Sequence, residues 1–251
     1  MIRFISHFIK IIIGFILSLL FSSCQHKIEI GDAFSSIEGS ETIISEKRNL
    51  SDFDKIDVSQ AINVELTQGK TFFVEVETND NIMPYLSTEV SGGTLKIYYN
   101  KKFNSFRNTD TKIKITMPEL EKISASSASS VVSKSNFSGN KIQMKTSSAS
   151  TVEMTLEYDV VNVDASSASN LTLKGLALEN YFESSSASVI DAQALKANMV
   201  EAEASSGSNI YVFPIKQLTA KASSGSVVTL KNKAESETVK TSSGGSIDRS
   251  Y

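Results

Sequence analysis

At 251 residues, with 3 Pro, no Trp and a formal net charge of −3, the chain is long enough to bury its own core and has no excess of Lys and Arg. Nucleic acids are held by concentrated basic residues, so this balance speaks against a nucleic-acid partner. A single Cys excludes an internal disulfide, and the only histidines are His7 and His26.

Arg3 and Lys10 place positive charge at the N-terminus, and residues 11–21 form an apolar run too short for a comfortable membrane span. That is the pattern of an export signal, which takes no part in the fold. Cys24 follows Ser22 and Ser23 directly, with Leu20 and Phe21 upstream, an arrangement that resembles the lipobox of bacterial lipoproteins. The resemblance implies a signal peptide over 1–23 and acylation of Cys24, which would hold the protein durably on a membrane. Phe21 departs from the Leu usual at its place, and an ordinary secretory signal or an uncleaved anchor are the alternatives. No Asp stands directly after Cys24, where in enteric bacteria it would resemble an inner-membrane retention signal, so the resemblance favours the outer membrane and leaves both its cell-surface and periplasmic faces open. Residues 24–48 read as a polar tether, although Ile43 and Ile44 could add an edge strand.

Over 49–120 apolar and polar positions alternate in short runs such as Lys55-Ile56-Asp57-Val58, Asn63-Val64-Glu65-Leu66 and Leu95-Lys96-Ile97-Tyr98. These are half-buried strands. Gln68-Gly69 and Ser91-Gly92-Gly93 mark turns between them, and Pro84 limits any helical turn near Ile82. The region reads as an atypical cap that stops end-to-end pairing of the more regular segment downstream.

Over 121–251 a tetrad of small residues recurs: Ser-Ser-Ala-Ser from Ser126, Ser147, Ser166 and Ser185, Ser-Ser-Gly-Ser from Ser205 and Ser223, and Ser-Ser-Gly-Gly-Ser from Ser242. Successive starts are 21, 19, 19, 20, 18 and 19 residues apart. A unit this short cannot bury a core alone, so neighbours must stack. Three residues before each tetrad stand Ile123, Met144, Val163, Phe182, Ala202, Ala220 and Val239; five after its first Ser stand Val131, Val152, Leu171, Ile190, Ile210, Val228 and Ile247. A third column begins Ser133, Met154, Leu173, Ala192, Val212 and Leu230. Apolar columns two residues apart, in a region rich in Val, Ile and Thr, specify strands. The expected fold is all-β, a right-handed parallel β-helix with coils of about 19 residues, rungs about 4.8 Å apart and an irregular N-terminal β cap. Small residues suit tight corners, where stacked hydroxyls can satisfy backbone groups. Column parity alone leaves open which tetrad serines point inward.

The region beyond residue 48 has no His and no Cys, which removes Ser-His-Asp and Cys-His catalysis and the usual zinc sites. No cofactor and no metal is expected. Asp164, Glu183 and Glu203 share one outward column on consecutive coils, flanked by Lys145 and Lys221. Stacked carboxylates could serve paired acid and base roles on a polysaccharide, but a solvated stripe of mixed charge is the commoner meaning. The least repeat-like surface is the loop over 101–112 and the strand before it. There Tyr98, Tyr99, Lys101, Lys102, Phe103, Phe106 and Arg107 form a candidate contact site for a glycan or protein ligand, unless Phe103 and Phe106 fold back over the solenoid.

The run from Asp52 to Tyr99 that contains Phe53-Asp54-Lys55-Ile56-Asp57-Val58 and Ala61-Ile62-Asn63, followed by Met117-Pro118-Glu119-Leu120 and the first tetrads, closely resembles the DUF2807 family, the putative auto-transporter adhesin, head GIN domain, common in Bacteroidetes lipoproteins. The likeness spans roughly 49–247. Ala61 replaces the Gly of the family's Gly-Ile-Asn. The resemblance implies a parallel β-helix and an adhesin-like role. Together these readings predict a lipid-anchored, non-catalytic envelope protein with a β-helix domain over 49–251. The alternatives are a polysaccharide-active enzyme using stacked carboxylates and a periplasm-facing structural or envelope-stress component.

Overall fold

The computed structural model describes residues 36–100 and 105–251; Cys24, Lys101, Lys102 and Phe103 lie outside the described residues. The first strands are short: β1 (Ser36–Glu38), β2 (Ile43–Arg48), β3 (Lys55–Val58), β4 (Asn63–Gln68), β5 (Phe73–Asn79), β6 (Leu86–Ser91), β7 (Thr94–Tyr99), β8 (Ser105–Arg107), β9 (Lys112–Met117) and β10 (Lys122–Ala125). Then come long ones, β11 (Ser130–Thr146), β12 (Thr151–Ala165), β13 (Asn170–Ser184), β14 (Val189–Ala204) and β15 (Asn209–Ala222), before β16 (Val227–Leu230), β17 (Ser236–Thr241) and β18 (Ser246–Arg249) close the coil stack. Each long strand runs most of the way round a coil, and shifts of register between Val132 and Asn136, or Ala192 and Lys196, mark bends in the parallel pairing.

The apolar columns stack as rungs. Ile123, Met144, Val163, Phe182, Ala202, Ala220 and Val239 pair in unbroken register, as do Val131, Val152, Leu171, Ile190, Ile210, Val228 and Ile247. All but the last member of each column are buried. The third column is less regular, because Ser133 falls in the β11 bulge and a register shift separates Thr172 from Lys174.

The tetrads are the sharp corners, and their backbone explains their composition. The second and third residues of each have positive φ, as at Ser127 (53°) and Ala128 (61°), and the fourth N–H donates to the first carbonyl, 3.2 Å from Ser129 to Ser126. This is a type I′ turn. Holding a side chain in the left-handed region costs about 1 kcal/mol, and Gly207, Gly225 and Gly244 avoid that cost at the third place. The left-handed residues are also held from outside: Ala128, Ala149 and Ala168 donate their N–H to Ser148, Ser167 and Ser186 of the next coil at 2.9, 3.0 and 3.0 Å. The inter-coil ladder thus continues round the corner. Ala61 adopts the same conformation, φ 57°, and donates to Ser127 at 2.8 Å, so the Ala61-Ile62-Asn63 corner is an early version of the tetrad.

The fourth serine points inward. Ser150, Ser169, Ser188, Ser208 and Ser226 are buried. Their hydroxyls donate to the carbonyl that precedes the neighbouring tetrad, Ser150 to Ala125 (2.9 Å), Ser188 to Ala165 (2.9 Å), Ser208 to Ser184 (2.7 Å) and Ser226 to Ala204 (2.7 Å).

The N-terminal part stacks out of chain order. β3 and β4 form one coil, which lies between the β7 and β9 coil on one side and the β10 and β11 coil on the other. The outermost coil is closed by reversed strands, β6 antiparallel to β7 and β5 antiparallel to β9, with β2 added outside β5. β1 pairs with β8. Folded structure therefore reaches upstream to Ser36, into the stretch expected as a tether. β2 is held by backbone pairing at an edge while nearly all of its side chains stay exposed, so Ser45-Glu46-Lys47-Arg48 shows none of the alternation that marks a half-buried strand.

Candidate functional site

The run of strand that enters each tetrad places one side chain per coil in an outward row. Lys145, Asp164, Glu183, Glu203, Lys221 and Lys240 are in direct register. A second row two residues earlier holds Gln143, Asn162, Tyr181, Glu201, Thr219 and Thr238. Between the first row and the tetrad corners lies an open groove of about 750 Å³ that runs along the solenoid past Asp164, Glu183, Glu203 and Lys221 and the corner residues Ser185, Ser205 and Ser223. It adjoins a smaller space of about 430 Å³ beside Asn162, Tyr181 and Glu201.

The structure thus brings Asp164, Glu183 and Glu203 together as neighbours on successive rungs. Like charges at this spacing repel unless compensated, and Lys221 supplies part of the compensation by pairing with Glu203. That hydrogen bond and charge raise the Lys221 pKa above its ordinary value. Tyr181 donates to Glu179 at 2.8 Å, and this bond raises its pKa ahead of any effect of burial. Asp164 and Glu183 are exposed on an open face. Among the described residues no group of three or more His, Cys, Asp or Glu is placed to hold a metal ion.

The loop candidates separate. Tyr98 is half-buried, with its hydroxyl 3.2 Å from Glu89 Oε1, and Arg107 is exposed on β8. Tyr99 faces the interior. It continues the inward parity of Leu95 and Ile97, is buried, stacks on Phe106 at 4.2 Å between ring centroids, and donates to Thr111 Oγ1 at 2.6 Å. Burial pushes its phenol pKa up. Phe106 packs inward between Tyr99 and Tyr85, covering the solenoid's side. Sequence reasoning missed Leu176 and Leu178, exposed on β13. The signal was available for Leu176, since its counterparts on the neighbouring coils, Glu157 and Lys196, are charged.

Comparison with known proteins decides the family. The model of DUF2807, "Putative auto-transporter adhesin, head GIN domain", matches residues 52–234. The chain belongs to the DUF2807 family. Solved structures share the fold of this DUF2807 chain. A putative adhesin from Bacteroides fragilis is 22% identical with a TM-score of 0.81, covering 85% of this chain and 100% of its own. A putative lipid binding protein from Parabacteroides distasonis is 22% identical with a TM-score of 0.73, covering 86% and 100%. A putative adhesin from Parabacteroides merdae is 16% identical with a TM-score of 0.70, covering 86% and 99%. No curated protein matches the sequence significantly. Among the described residues no helix is long and apolar enough to cross a membrane.

Proposed function

We propose that this DUF2807 protein is a non-catalytic adhesin-like module of the bacterial envelope, anchored through acylated Cys24 on the outer membrane, that binds an extended glycan or protein ligand along its axial groove. The observation that carries the reading is the groove's repeat. One polar or charged side chain per rung, at about 4.8 Å, offers an evenly spaced row of hydrogen-bonding groups on a scaffold whose corners are fixed by the tetrad ladder. An open face with exposed carboxylates suits binding better than chemistry, which gains from excluding water.

The test is a glycan and matrix-protein array with the wild-type protein and with Asp164→Asn, Glu183→Gln and Glu203→Gln. A ligand whose affinity falls about tenfold or more in these variants supports the reading. Binding that the three changes leave untouched would remove the groove from it, and polysaccharide turnover abolished by Asp164→Asn would replace it with an enzyme. Protease treatment of intact cells, with Cys24→Ala as the unanchored reference, then sets the side: digestion without lysis fits an adhesin, and protection until lysis redirects the search to periplasmic partners.

A further inference from the structure

The middle run of each coil, beyond the bend that follows the tetrad, presents another surface. On β13 this bend is made by Gly175, whose φ of 121° and close approach to the Leu156 carbonyl leave no room for a Cβ. Immediately after it Leu176 and Leu178 point outward, each 51% exposed, more than any other large aliphatic side chain among the described residues. Phe213 and Ile215 on β15 extend the apolar surface, Ile215 being 37% exposed.

The charges round these leucines are arranged unequally. Glu157, Leu176 and Lys196 form one register column on β12, β13 and β14, so the carboxylate and the ammonium stand one rung to either side of the leucine. Asp159 is exposed on the Glu157 side. On the other side Lys196 lies over the Phe213 ring at 5.7 Å. Glu157 has no ion pair among the described residues.

We propose that this face is the interface of a two-fold dimer of the chain, with the symmetry axis lying along β13. A two-fold contact is self-complementary: where residue i meets residue j, j also meets i. An axis along β13 exchanges the β12 side for the β14 side. It sets Leu176 on Leu176 of the second copy and Leu178 on its counterpart, and brings Glu157 opposite Lys196 of the second copy twice over. An apolar centre inside a charged rim is the usual anatomy of such a contact. An anionic lipid surface fits less well, because Glu157 and Asp159 would be pressed against it beside the leucines.

The experiment is cross-linking of the full chain in intact cells through Leu176→Cys, using a short bismaleimide whose span matches the roughly 10 Å between packed sheets. The chain without an added cysteine controls for Cys24, and Ile44→Cys, also exposed, controls for collision. The expected result is a covalent dimer for Leu176→Cys well above both controls. Added to that background, Glu157→Lys and Lys196→Glu should each cut the dimer about tenfold, and the two together should restore it. A yield no higher than that of Ile44→Cys overturns the proposal, as does failure of the double charge swap to rescue. Stronger retention on anionic vesicles by Glu157→Lys, without a dimer, would assign the face to the membrane instead. All these side chains are exposed, and an unchanged circular dichroism spectrum checks that each variant is folded.

Discussion

Asn180 sits where its neighbours in the stack are apolar. Its column on successive coils runs Ile142, Val161, Asn180, Val200 and Leu218, and its Oδ1 is buried without a hydrogen-bond partner. An unsatisfied buried acceptor costs about 1–3 kcal/mol, so Asn180→Leu is expected to stabilise the fold by about that much in urea unfolding; a loss of stability would mean the amide has a role the column hides. Tyr158 is the opposite case, a buried polar group that is satisfied. Its hydroxyl donates to the Leu120 carbonyl at 2.8 Å, and burial, followed by the charges of Glu119 and Glu121, raises its pKa. A raised phenol pKa favours the neutral form in the folded state. The resulting stability is fully present below about pH 10, the pKa of an unfolded tyrosine, and is lost as pH rises further. Denaturant midpoints across pH 8–11 should therefore fall on the alkaline side, and Tyr158→Phe should be less stable at pH 8 yet show a shallower alkaline fall.

The last coil shows how an element ends a repeat that could otherwise continue. Two inward columns finish in charge: Glu237 stacks on Leu218, and Arg249 stacks on Leu230. Arg249 Nη2 meets Glu237 Oε2 at 3.1 Å, and the Glu237 side chain is only 16% exposed, so an ion pair closes the apolar interior. Inward-pointing charge on a terminal strand blocks the addition of another rung. Replacing the pair by Glu237→Val with Arg249→Leu extends both apolar columns to the end. The expected outcome is concentration-dependent assemblies larger than the wild-type species in sedimentation velocity; unchanged sedimentation would mean that exposure of Val239 and Ile247 alone does not drive stacking. The columns that made the coils legible were the regular ones, from Ile123 and Val131. The plug was not legible, because its residues break the apolar pattern and the pairing of Glu237 with Arg249 depends on which columns adjoin at the open end. The same regularity placed Asp164, Glu183 and Glu203 in one row, whereas the loop carrying Tyr99 and Phe106 has no repeat against which to judge which way a ring points.

For the whole molecule, repeats with fixed spacing specify their own neighbours, but the N-terminal third offers no such rule. Lys55-Ile56-Asp57-Val58, Leu95-Lys96-Ile97-Tyr98 and Lys122-Ile123-Ser124-Ala125 have similar alternation, and nothing local says that β3 lies between β7 and β10. That order has a mechanical consequence. A solenoid is held by contacts between nearest neighbours, so an end coil with one neighbour opens more easily than an inner one with two. The β17 and β18 coil is an end coil in both sequence and space, and most of its residues remain exposed. The β3 and β4 coil lies near the N-terminus in sequence but is an inner coil in space, clamped between two others and shielded by the reversed strands β5 and β6. Native-state hydrogen exchange should show amides of β17 and β18 exchanging first through local opening. Those of β3 and β4 should exchange as slowly as those of β12 to β14, only with global unfolding. Exchange of β3 and β4 as early as β18 would instead mark the N-terminal third as a separate unit leaning on the solenoid. Slow exchange there makes it the lock that holds a stack built from weakly stable single coils.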